Sequence, residues 1–129
     1  MRLEVTLVPV PQSVSIARVF VRHQLISLRY ADLIDNAGQI VSELVTNAIA
    51  ATASDDPRTQ GHIKLYLGPD HGRPLLEVWD SSPLMPVMKE PDFVSECGRG
   101  LHIVKSLAVR FGYHETEKEG GKIVWALLA

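Results

Sequence analysis

Four short segments, arranged as two pairs with glycine-containing links, constrain the fold of this chain most strongly. The first pair is residues 63–67 and 75–79, and the second is residues 111–116 and 122–128. Residues 63–67 alternate between apolar and polar or amphipathic side chains, which is typical of a strand with one buried face. The links contain Gly-Pro-Asp-His-Gly and Glu-Gly-Gly, compositions that are typical of turns. The sequence therefore predicts two β-hairpins.

Apolar residues at spacings of three and four predict three helices. The first begins near Ser13, a predicted N-cap, the second runs from residue 31 or 32 to about residue 53, and the third begins at Gly98. Their apolar stripes are Val14, Ala17, Val21, Leu25 and Leu28; Ala37, Ile40, Val41, Leu44, Val45 and Ala48; and Leu101, Val104, Leu107 and Ala108. Residues 3–8 alternate and predict one further strand before the first helix.

The predicted order is strand, helix, helix, hairpin, loop, helix, hairpin. Consecutive two-stranded units favour a mixed or mainly antiparallel sheet, with the three helices layered on one of its faces. The loop, residues 81–97, contains three prolines and shows no periodicity, and such long loops in compact domains are usually functional or mobile. We therefore predict an α/β two-layer sandwich formed by a single domain over residues 1–129, and not a doubly wound parallel sheet.

Length and composition limit the classes of protein to which the chain can belong. With 129 residues and 46% hydrophobic content, it can bury the core of one domain. A formal net charge of -2 argues against a general nucleic-acid binder or a polybasic membrane-surface protein. The single cysteine, Cys97, excludes an internal disulfide and a metal site built from several thiolates. Because neither a signal-peptide pattern nor a membrane-spanning apolar run is present, we expect a cytoplasmic protein.

Two polar residues on the second predicted helix, Glu43 and Asn47, are candidates for a site that binds metal or moves a proton. They lie four residues apart and therefore share a helix face. A neutral amide oxygen is a hard ligand suited to Mg²⁺, and a carboxylate can orient a water molecule or accept a proton. A solvated helix face is the alternative interpretation of this pair.

Two further candidates lie at a strand end and at a helix start. Asp80 ends the first hairpin, where a carboxylate can accept a hydrogen bond from an exocyclic amine such as that of adenine. An ordinary aspartate that begins a turn is the alternative. The run Gly98-Arg99-Gly100 lies where the loop becomes the third helix, and glycines beside a helix N-terminus allow a phosphate to approach the backbone. A flexible start of the helix is the alternative here.

Taken in their order along the chain, these motifs resemble the GHKL ATPase superfamily, whose domain adopts the Bergerat fold. Three motifs are similar to the N, G1 and G2 boxes of that superfamily: Glu43…Asn47, Asp80-x-Ser82-x-x-x-Pro86 and Gly98-x-Gly100. The segments SELVTNA (42–48), GRGLHIV (98–104) and GGKIVWALL (120–128) look most like the bacterial anti-sigma-factor serine/threonine kinases. The resemblance covers essentially the whole chain.

Carried over to the matching positions, the resemblance implies that the domain binds ATP and Mg²⁺. It implies that Asn47 is the Mg²⁺ ligand, that Glu43 is the polarising base and that Asp80 binds the N6 amine of adenine. Residues 81–97 would form a short lid over the nucleotide. The other positions implied to contact the nucleotide are Ser82, Pro86, Gly98, Arg99, Gly100 and Leu101. Ser82 stands where many members of the superfamily have a glycine.

The resemblance also implies a function in transcription regulation. It predicts an anti-sigma factor that sequesters a sigma factor and phosphorylates a serine of an anti-anti-sigma (antagonist) protein. A catalytically weak or inactive ATP-binding interaction module of the same fold is the alternative, and the departure at Ser82 favours it. We expect neither nucleic acid nor membrane as a partner, and a homodimer is compatible with this type of protein.

The first helix carries three arginines that suggest where a protein partner would bind. Arg18, Arg22 and Arg29 would lie on its exposed face, and their charges would complement an acidic segment of the sigma factor. A merely solvated helix face is the alternative.

Overall fold

The computed structural model of the chain describes residues 2–53, 61–82, 96–116 and 120–128, with residue 53 and residues 96–101 described by their backbone. Five strands and three α-helices lie in this part of the chain, together with one short 3-10 helix. The elements are β1 (Leu3–Leu7), α1 (Ser13–Ser27), the 3-10 helix (Ala31–Leu33), α2 (Ile34–Ala53), β2 (Ile63–Asp70), β3 (Arg73–Asp80), α3 (Glu96–Leu107), β4 (Arg110–Glu115) and β5 (Lys122–Leu127).

The strands form one sheet in the order β1-β2-β3-β5-β4, and its four pairings are all antiparallel. Both predicted hairpins are present, as β2 with β3 and as β4 with β5. The first hairpin is longer than the sequence suggested, because its strands continue to Asp70 and Arg73 and the turn shrinks to His71-Gly72. Both turn residues have a positive φ, 52° and 82°, as the tightest hairpin turns require.

The described side chains of the predicted stripes are buried or partly buried, but the starts of the helices differ from the sequence-based expectation. Ser13 is not an N-cap: α1 begins at Ser13 itself, and the preceding Gln12 makes no side-chain capping bond. The Ser13 hydroxyl instead donates to the carbonyl of Val8 at 2.7 Å, which ties the helix start to the end of β1. Residues 31–33 form a 3-10 turn, so the regular part of α2 begins at Ile34.

The hydrophobic core lies between the helices and one face of the sheet. Five of its large side chains are at most 1% exposed: Leu25 of α1, Ile40 and Leu44 of α2, and Leu65 and Leu76 of the sheet. Burying each such side chain contributes about 1.5–3 kcal/mol relative to leaving it in water. This arrangement confirms the predicted α/β two-layer sandwich. Among the described residues, no helix combines the length and the apolarity needed to span a membrane.

Candidate functional site

Asp80 is the last residue of β3, and its carboxylate is 1% exposed. Strand alternation places it on the same face of the sheet as Val78, which belongs to the core. Its Oδ1 atom accepts hydrogen bonds from the backbone N–H of Ser82 at 2.9 Å and from the Lys122 ammonium at 2.8 Å. A buried carboxylate needs such partners. Asp80 therefore both begins a turn and belongs to a buried ion pair.

Lys122, the ion-pair partner of Asp80, was not predicted from the sequence as a residue of the site. The register of β3 and β5 places it directly opposite Asp80, and its side chain is 4% exposed. Val124 and Ala126 follow it at alternate positions of β5 and are buried in the core. A lysine at the inward position of an otherwise apolar strand was the available signal, since a buried ammonium requires an acceptor.

Gly121 brings the start of β5 unusually close to the end of β3. A Cβ atom at this position would lie 2.0 Å from the carbonyl oxygen of Asp80 and 2.9 Å from Cα of Ser81. The residue also has φ +75°, as Gly120 has φ +72°. The indole N–H of Trp79 donates to the carbonyl of Gly120 at 2.9 Å. The two glycines thus hold β5 against the strand end that carries Asp80.

Glu43 and Asn47 lie on α2, as predicted, and both are half-buried. The side-chain oxygen of Asn47 is buried and has no hydrogen-bond partner among the described residues. Leaving a buried acceptor unsatisfied costs about 1–3 kcal/mol, so this atom fits a ligand better than it fits the folded chain alone. An amide oxygen is one of the hard donors that Mg²⁺ accepts. Asn47, with Glu43 one turn away, therefore fits the implied Mg²⁺.

Ser82 is 1% exposed and lies two residues after Asp80. The non-glycine residues with a positive φ in the described chain are Arg29 and His71, so Ser82 adopts a backbone conformation open to any residue. The serine is compatible with this turn, and its N–H supports the carboxylate of Asp80.

The remaining predicted nucleotide contacts are described in part or not at all. The backbone of Gly98, Arg99, Gly100 and Leu101 lies in α3, which begins at Glu96, two residues before the predicted start. Only the first four N–H groups of a helix lack an intrahelical partner, so Gly98 lies in that first turn and Gly100 lies just beyond it. Pro86 and residues 83–95 of the predicted lid lie outside the described residues.

Comparison with known protein families gives one match that covers most of the chain. The model of the histidine kinase-like ATPase domain family matches residues 7–127. The chain belongs to this family. A search of curated proteins found no matching sequence. Membership in the family implies that this histidine kinase-like ATPase domain binds ATP, and the described strands and helices have the α/β arrangement expected for it.

Proposed function

We propose that this histidine kinase-like ATPase domain is an anti-sigma factor and a protein-serine kinase. It binds Mg²⁺ and ATP, transfers the terminal phosphate to a serine hydroxyl of an antagonist protein, and sequesters a sigma factor. The observation that carries the proposed nucleotide binding is the buried side-chain oxygen of Asn47, which has no hydrogen-bond partner among the described residues. The sequence resemblance to anti-sigma kinases supports the proposed action on an antagonist protein and a sigma factor.

The two residues of α2 have different roles in this proposal. Asn47 would hold the Mg²⁺, which neutralises phosphate charge when bound. Glu43 would accept or steer the proton of the attacking serine hydroxyl, since a carboxylate can act as a general base. Because the residues lie one turn apart on one helix face, both can serve the same triphosphate.

At the base-binding end, Asp80 would accept a hydrogen bond from the N6 amine of adenine. The bonds from the Ser82 N–H and the Lys122 ammonium both go to Oδ1 of this carboxylate. The carboxylate is thus already fixed in orientation by two protein donors. A pre-oriented acceptor loses little conformational entropy on binding a ligand.

A phosphotransfer assay with a matched pair of variants tests the kinase activity. Purified protein is incubated with Mg²⁺, ATP labelled at the terminal phosphate, and candidate antagonist proteins. The wild type should label a serine of one antagonist, and Glu43→Gln should lower the rate by about 10²–10⁴-fold while ATP binding stays nearly intact. The control is Glu4→Gln, which removes an exposed carboxylate from β1 and should not change the rate. Undiminished transfer by Glu43→Gln would remove Glu43 from the role of base.

A binding module without turnover is the second candidate function. The feature that favours it is Ser82, which stands where many members of the superfamily have a glycine. Calorimetry with Mg·ATP, followed by the phosphotransfer assay, separates the two functions. Nucleotide binding without transfer to any antagonist would support the module.

A further inference from the structure

Lys122 has more hydrogen-bonding capacity than the described residues satisfy. A lysine ammonium has three N–H donors, and within the described part of the chain Lys122 donates to Asp80 alone, at 2.8 Å. Its side chain is 4% exposed, which leaves water little access to the other two donors. Buried donors without acceptors are costly. The ammonium is therefore suited to a second acceptor that is not part of the described chain.

The strand register fixes where such an acceptor would lie. Lys122 is the direct cross-strand neighbour of Asp80, and both side chains point to the same face of the sheet. A group that donates to the carboxylate of Asp80 therefore lies beside the ammonium of Lys122. Together the two side chains present one acceptor and one donor next to each other.

This order of acceptor and donor distinguishes the purine bases. Along its pairing edge, adenine carries the N6 amine, a donor, next to N1, an acceptor. Guanine carries a carbonyl oxygen and a protonated N1 at the same two positions. With the N6 amine against Asp80 and N1 against Lys122, adenine meets a complementary group at both atoms. Guanine in the same position would place an acceptor against Asp80 and a donor against Lys122.

We propose that Lys122 is a specificity-determining residue that donates a hydrogen bond to N1 of adenine while Asp80 accepts one from the N6 amine. This inference rests on the proposed ATP binding and adds a second base contact to it. Sites that hydrogen-bond a ligand atom discriminate strongly against analogues that lack the atom, because their buried polar groups are then left unpaired.

Ligand analogues test each contact on the unaltered protein. Calorimetry compares ATP with 1-deaza-ATP, which lacks the N1 acceptor, and with purine riboside triphosphate, which lacks the N6 amine. We expect each analogue to bind about tenfold to one-hundredfold more weakly than ATP, as for a hydrogen bond to a charged group. The control is 7-deaza-ATP, which is altered on the other edge of the base and should bind like ATP.

The variant Lys122→Met, which is close in length but carries no donor, completes the test. After circular dichroism confirms its fold, this variant should bind ATP and 1-deaza-ATP with equal affinity, because it has no donor for N1. Equal binding of the two nucleotides by the wild type overturns the inference but leaves ATP binding intact, even if Lys122→Met fails to fold. Tighter ATP binding by Lys122→Met overturns it as well, because Lys122 would then compete with adenine for Asp80. If the wild type binds no ATP, the proposed function fails and the inference fails with it.

Discussion

The side-chain oxygen of Asn47 lies buried on α2 without a hydrogen-bond partner among the described residues. In the absence of a ligand, this atom has lost its hydration without a compensating contact. Alanine is also a better helix former than asparagine. The residue that would hold the metal therefore lowers the stability of the nucleotide-free domain.

The variant Asn47→Ala should separate stability from ligand binding. We expect the free energy of unfolding without nucleotide to rise by about 1–3 kcal/mol, because the unsatisfied oxygen is removed and the helix propensity improves. We expect binding of Mg·ATP to weaken, while binding of ATP in the presence of a chelator changes little. Urea unfolding and calorimetry measure the two effects.

The matched control for this variant is Thr46→Ala, at the exposed neighbouring position on α2. It also improves helix propensity but removes no buried acceptor, so Mg·ATP binding should remain that of the wild type. A loss of stability in Asn47→Ala would mean that the amide makes a structural contact in the free protein. Unchanged Mg·ATP binding would remove Asn47 from the metal site.

At the scale of elements, the contact between the start of β5 and the end of β3 positions the carboxylate of Asp80. Gly120 and Gly121 have nearly the same positive φ, yet only Gly121 lies against another part of the backbone. Apart from its two chain neighbours, no atom of the described residues lies within 4 Å of the position that a Cβ on Gly120 would take. The pair therefore offers a comparison in which the backbone conformation is held constant.

The substitutions Gly120→Ala and Gly121→Ala should differ by the cost of the steric contact. Gly120→Ala should lower the free energy of unfolding by about 1–2 kcal/mol, the cost of a left-handed conformation. Gly121→Ala should lower the free energy of unfolding by roughly 1–3 kcal/mol more than Gly120→Ala does, because its Cβ would overlap the carbonyl of Asp80 and force the strands apart. Urea unfolding measures both values. Equal destabilisation would show that the strand contact is readily relaxed.

The elements also show what could and could not be predicted from sequence. The hairpins and helices were predictable because alternation and three-to-four spacing are local properties of the chain. The longer β2–β3 strands escaped prediction because turn-forming residues, Gly68 and Pro69, take part in the pairing. The hydroxyl of Ser13, which would suit an N-cap, bonds to Val8 instead, so a tertiary contact replaced the local one.

The residues of the candidate site divide in the same way. Glu43, Asn47 and Asp80 could be selected as candidates from their spacing and from their positions on helices and strands. Lys122 could not be assigned as readily, because its pairing with Asp80 joins residues 42 positions apart and depends on the order of strands in the sheet. Whether the buried oxygen of Asn47 has a hydrogen-bond partner among the described residues depends on how α2 packs in three dimensions. No local pattern reports that property.

At the scale of the whole molecule, the exposed face of α1 carries both charged and apolar side chains. Arg18 and Arg22 are exposed and line a groove between α1 and α2. Arg29, predicted on the same helix, lies beyond its end at Ser27 and has φ 67°. Ile16 and Val19 on the same helix are 53% and 55% exposed. Arginine is enriched at protein interfaces, so this face is where we would test for the proposed protein partner.

Reversing both charges, as Arg18→Glu with Arg22→Glu, should weaken binding of an acidic sigma-factor segment at least tenfold, since like charges would then oppose each other. The control is Lys105→Glu with Arg110→Glu, which changes the charge equally at exposed positions of α3 and β4. It should leave the affinity near that of the wild type. Surface plasmon resonance with the native sigma factor measures both variants. Equal affinities would exclude this face of α1.

The position of β3 beside β5 has a consequence for how the molecule opens. Each hairpin joins neighbours in sequence, whereas β3 and β5 are brought together only after α3 and β4 have intervened. The β3–β5 pairing therefore joins two halves of the sheet, and Asp80 and Lys122 face each other across this pairing. A nucleotide held by both would couple the two halves and oppose local opening at this point. The amide protons of the β3–β5 ladder should then exchange with solvent more slowly in the bound protein, while those of the β1–β2 ladder keep their rates.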